Sequence, residues 1–100
     1  MNAQEILNKA IAIGQQAYNN YPDEAYCGFA WVNIKGNTAF ARAIKKLPNS
    51  GFRTDSYAGG LTYWVTGRSQ SMARKEKFAQ AMALSLTESG IPAQWRSRAD

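Results

Sequence analysis

Apolar residues recur at three- and four-residue spacing from the start of the chain. Ile6, Leu7, Ala10, Ile11, Ile13, Ala17 and Tyr18 form one stripe, which predicts an amphipathic helix over Ala3 to Tyr18. Asn2, followed three residues later by Glu5, has the form of a capping box, and Asn19-Asn20-Tyr21-Pro22 ends the helix with a residue that cannot continue it. The period then changes. Ala25 to Ile34 is apolar on both alternating faces, the pattern of a central strand, and Gly28 within it marks a bulge or a close approach of the first helix. Leu61, Tyr63 and Val65 alternate with Thr62, Trp64 and Thr66, which predicts a half-buried strand over Leu61 to Thr66. Helical spacing returns with Met72, Phe78, Ala79, Met82, Ala83 and Leu86 behind Ser69 or Ser71 as N-cap. Gly90, with Ile91 after it and Pro92 beyond, predicts a Schellman close.

Between these elements the pattern is less decisive. Thr38 to Leu47 alternates as a strand would, yet it also lines Phe40, Ile44 and Leu47 along one helical face; its alanines favour a short helix capped by Asn37 or Thr38. Pro48-Asn49-Ser50-Gly51 is a turn, and Gly51 to Gly60 reads as a loop bracketed by glycines. The tail from Ala93 would add an edge strand whose charges discourage aggregation. The expected fold is α+β in a single domain over residues 1–100: two main helices packed on a small antiparallel or mixed sheet of about three strands.

Composition narrows the function classes. The 100 residues are 45% hydrophobic, enough for a modest core. No apolar run reaches the roughly 18 residues of a membrane span, and the first residues lack a signal-peptide pattern, so a cytoplasmic protein is expected, in the host cytoplasm if viral. There is no His and one Cys, which excludes His-assisted nucleophiles and Cys/His metal clusters. Cys27, inside the apolar strand, is expected to be buried and inert. Phosphate-cradling glycine motifs are missing. The expectation is therefore no enzyme activity, no metal and no cofactor.

Charge changes the picture more. The formal net charge is +5, but residues 1–34 carry −2 and residues 35–100 carry +7. Such asymmetry favours an acidic partner. One candidate site is the start of the second long helix. Arg68, Ser69 and Ser71 stand beside its free N–H groups, and Arg74 and Lys75 oppose the helix dipole, an arrangement worth keeping for an anion. Arg96 and Arg98 would join if the tail folds back. The Gly51–Gly60 loop adds Arg53 and Tyr57 as contacts. Trp31, Trp64 and Trp95, with Tyr63 nearby, offer stacking faces for bases; core packing is the expected role of Trp31, and Trp95 is the foremost candidate for an exposed ring.

Two resemblances follow from these residues. Cys27-Gly28-Phe29-Ala30-Trp31-Val32, Phe40 with Lys45-Lys46, Gly59-Gly60, Gln70-Ser71-Met72, Arg74-Lys75-Glu76 and the close Ser97-Arg98-Ala99-Asp100 resemble a family of small uncharacterised bacteriophage proteins. That likeness implies a viral origin and no mechanism. Gly67-Arg68-Ser69 with Arg74-Lys75-Glu76-Lys77 and Ala79, Ala81 and Ala83 is similar to the last helix of double-stranded-RNA-binding domains, although their Gly-Pro-x-His loop is missing and the fit needs a strand over 38–47. The function expected is a small basic, non-enzymatic module that binds nucleic acid, DNA or RNA, or a nucleotide. The alternative is an inhibitor of a host defence or replication protein.

Overall fold

The computed structural model describes residues 2–24, 26–66 and 71–99. Helix α1 spans Ala3–Asn20, and both halves of its capping box form: the Asn2 side chain accepts from the Glu5 N–H at 2.9 Å, and the Glu5 carboxylate accepts from the Asn2 N–H. Strand β1 spans Gly28–Ile34 and α2 spans Ala39–Lys45. The alanines decide α2 as expected, and Thr38 caps it by accepting the Ala41 N–H at 3.0 Å. The second likeness, which needs a strand over 38–47, meets a helix there.

Strands β2 (Phe52–Thr54) and β3 (Leu61–Trp64) precede α3 (Met72–Glu88), and β4 (Ala93–Ala99) closes the chain. The Schellman motif forms: Gly90 adopts φ 88°, its N–H reaches Thr87 O, and the Ile91 N–H reaches Leu86 O at 2.9 Å.

Among the described residues, four strands pair antiparallel in the order β2-β3-β1-β4, one strand more than expected and with no parallel pair. The added strand is β2, inside the segment expected to be loop. Its three residues pair with Tyr63, Thr62 and Leu61, a long-range match that so short a stretch does not announce. From β1 onward the chain is a split β-α-β-β-α-β arrangement, with α1 placed before it.

Strand parity divides the sheet into two unlike faces. Ala30, Val32, Ile34 and Leu61 point to the helical side and are buried with Phe78, Ala79, Met82 and Leu86 of α3 and Leu7, Ala10 and Tyr18 of α1. Two expectations near the start of β1 need correcting. Cys27 lies outside the strand, bridged to Ser71, and is half-buried rather than enclosed. The close approach at Gly28 comes from α3 and β4, not from α1: a Cβ there would lie 2.5 Å from Met72 Sδ and 2.9 Å from Arg98 O.

Candidate functional site

The opposite face of the sheet carries a different set of side chains. Phe29, Trp31 and Asn33 of β1 share it with Thr62 and Trp64 of β3, Arg53 of β2, and Gln94, Arg96 and Arg98 of β4, as the pairing register requires. Thr62 is buried where Asp55 and Asn33 bond it, but none of the described elements covers the aromatic part of the face, and Phe29 and Trp64 are 39% and 44% exposed, which in large aromatic side chains is far more than packing needs.

The rings form one connected surface. The Val65 N–H donates to Ala30 O at 3.0 Å, so the next pair, Trp31 opposite Trp64, is a non-hydrogen-bonded one whose side chains stand close. Their ring centroids are 4.7 Å apart with planes at 40°, and Phe29 meets Trp64 edge-on at 6.4 Å. Arginines border the rings on the β4 side. Arg96 pairs across the strands with Trp31 and Arg98 with Phe29, the Arg98 guanidinium carbon lying 5.9 Å from the Phe29 ring.

Towards the far end of β1 the face becomes polar and hydrogen-bonded. Asn33 Nδ2 donates to Gly59 O at 3.0 Å and to Thr62 Oγ1 at 3.1 Å, and the Thr62 hydroxyl donates to the Asp55 carboxylate at 2.7 Å. The other Asp55 oxygen accepts the Tyr57 and Ala58 N–H groups, each at 2.9 Å. The Ala58 bond first, then those from Thr62 and Tyr57, hold the Asp55 carboxyl below its ordinary value of 3.8. Because the folded pKa lies below the unfolded one, the stabilisation is whole above 3.8 and is lost as pH falls through the folded value. The Tyr57 and Ala58 amide resonances are therefore expected to shift in NMR spectra as pH falls below 3.8, and Asp55→Asn, which cannot titrate, should flatten that response. Equal amide behaviour across the range would show that the carboxylate does not hold the loop.

At the start of α3 the expected residues are used differently. Arg68 and Ser69 lie outside the described residues. Ser71 is the N-cap, fully buried, and accepts the Arg74 N–H. The Arg74 guanidinium donates to Tyr21 O at 2.7 Å and lies 5.3 Å from the Tyr18 ring, so it fastens the end of α1. Lys75 is buried, its ammonium on Gly28 O at 3.1 Å and 5.7 Å from the Phe29 ring. Both cations therefore have backbone partners within the fold. Arg96 and Arg98 do not join them, because the tail enters the sheet as β4 and turns both residues to the open face.

Arg53 is on that face too, whereas Tyr57 is wholly exposed at the tip of the β2–β3 loop. Trp31, expected in the core, belongs to the open surface. Trp95 is 37% exposed but pairs with Val32 and so lies on the helical side of the edge strand. Tyr63 also faces inward, stacked on Phe78 at 6.1 Å, and burial raises the pKa of its phenol. Phe29 was not singled out by sequence reasoning; its i, i+2 relation to Trp31 was the available signal. Comparison with protein-family models, curated proteins and solved structures finds no match to this chain, which leaves the geometry of this face as the ground for a functional reading.

Proposed function

We propose that the chain is a non-enzymatic module that binds single-stranded nucleic acid on the open face of its sheet. Bases stack on Trp31, Trp64 and Phe29, and Arg53, Arg96 and Arg98 neutralise the phosphates alongside. The observation that carries this reading is the cross-strand Trp31–Trp64 pair, covered by none of the described elements and bordered by arginines. Stacking and cation–π contacts with a basic margin are the means by which proteins hold single strands, and four-stranded sheets in RNA-recognition modules stack two or three bases this way. A duplex hides its base faces, so the rings favour an unpaired strand. The positive balance of residues 35–100 supports the same partner. A phage origin, implied by the likeness noted above, adds no residue to the site.

The test is a salt series with fluorescent single-stranded DNA and RNA oligonucleotides, comparing wild type with Arg96→Ala/Arg98→Ala and with Arg74→Ala. For single strands each lost phosphate contact lowers the salt slope by roughly 0.7, so the double variant should lose about 1.4. Arg74→Ala should keep the wild-type slope, since its guanidinium is engaged with Tyr21. An unchanged slope in the double variant would remove these arginines from the site. No binding by wild type at low salt would sink the reading and leave the ring surface to a protein partner.

A further inference from the structure

We infer that a cleft at the end of β1 is a nucleotide subsite, taking the nucleotide that follows those stacked on the rings and reading its base. This continuity rests on the reading of the face proposed above. Asn33 and Gln94 pair across β1 and β4, and they are both the last row of the open face and the first wall of the cleft. A strand lying along β1 over Phe29 and Trp31 would run off the platform into it. Its volume is about 640 Å³, inside the range of roughly 300–1,000 Å³ typical of small-ligand sites.

The lining is suited to a base and a phosphate. Asn37 and Gln94 present amides, and Lys35 presents an ammonium, none tied to another side chain among the described residues. An amide offers one acceptor and two donors, the complement of a base edge, and an ammonium suits the phosphate. The facing wall is the Gly59–Gly60 backbone. Both glycines have positive φ; nothing lies within 4 Å of a Cβ built on Gly59, so a ligand has unhindered approach to the backbone there. Gly60 is pressed against the end of β1, where a Cβ would come 2.1 Å from Ile34 O. The Asp55–Thr62–Asn33 hydrogen bonds hold this wall in place before any ligand arrives.

Two titrations of the full chain test the inference. In the first, 15N spectra are followed with AMP, CMP, GMP and UMP, and with ribose 5-phosphate as control. The Gly36, Gly59 and Gly60 amides should shift, and one base should be preferred by roughly fivefold or more, the low end of what a well-matched side-chain–base pair contributes. The Trp31→Ala/Trp64→Ala variant should keep these shifts. Asn37→Ala/Gln94→Ala should lose the preference, and Lys35→Ala should weaken all four monophosphates alike. In the second, single-stranded oligonucleotides that differ only at one terminal base should show the same order of preference.

The inference is overturned if the three glycine amides stay silent, or if ribose 5-phosphate moves them as far as the nucleotides do. Oligonucleotide binding with a silent cleft would leave the face reading intact and remove the subsite. Monophosphate shifts without oligonucleotide binding would overturn the face reading, and with it the continuity of face and cleft.

Discussion

Replacing Trp31 and Trp64 together by alanine is expected to weaken binding of a single-stranded oligonucleotide by about a hundredfold or more. Each base–aromatic stack contributes roughly 1–3 kcal/mol by alanine substitution, and a hundredfold corresponds to about 2.7 kcal/mol, which two lost stacks reach from about 1.4 kcal/mol each. The fold should survive. No described element covers these rings, Trp64 is 44% exposed, and the pair they form with each other contributes about 0.5–1.5 kcal/mol beyond burial. Trp31→Phe/Trp64→Phe, which keeps flat faces, should retain much of the affinity. Trp95→Ala is the matched control: it removes a comparably exposed indole from the helical side and should leave affinity where it was. Fluorescence anisotropy gives the affinities and a thermal melt the stability. If Trp95→Ala weakens binding as much as the double variant, the partner is not on this face.

The aromatic surface was partly legible in the sequence. Arg96 and Arg98 stand two apart, as do Phe29 and Trp31, so each pair had to share a face of any strand that contained it. What the sequence withholds is register. Only the pairing of Trp31 with Trp64 and of Arg96 with Trp31 turns three separate stretches into one surface, and those partners lie 33 and 65 residues apart in the chain. The same limit explains the start of α3. Read locally, Arg74 and Lys75 oppose the helix dipole and suit an anion. Their actual partners, Tyr21 O and Gly28 O, come from the end of α1 and the start of β1, where no local rule points.

Elements fixed by contacts within a few residues were legible. The Asn2–Glu5 capping box, the Thr38 cap of α2 and the Gly90 close of α3 are each settled by bonds inside one turn of chain. Strand β2 was not, because three residues carry too little alternation to distinguish a strand from a glycine-bracketed loop; pairing with β3 decides it.

The largest loss of stability is expected at Phe78, where three elements meet. Its side chain is 3% exposed and its ring lies almost parallel to that of Tyr63 on β3, with centroids 6.1 Å apart and an interplanar angle of 7°. From the other side comes Gly14 of α1: a Cβ there would stand 2.9 Å from two Phe78 ring carbons and 3.1 Å from the Phe78 carbonyl oxygen. The glycine thus allows α1 to lie against α3 at this ring. Phe78→Ala should cost roughly 3–5 kcal/mol, because the two helices and β3 cannot all collapse into the space it leaves. That is a large part of the roughly 5–15 kcal/mol by which such domains are stable. Gly14→Ala should also destabilise, and part of its cost should persist without the ring, since the carbonyl belongs to the backbone of α3 and yields little. In a Phe78→Leu background the ring contact is gone, so Gly14→Ala should cost less than in wild type, with a coupling of roughly 0.5–3 kcal/mol as found for residues in contact. Urea denaturation of the four proteins of this cycle measures the coupling. Additive costs would show that α1 and α3 are not held at this ring.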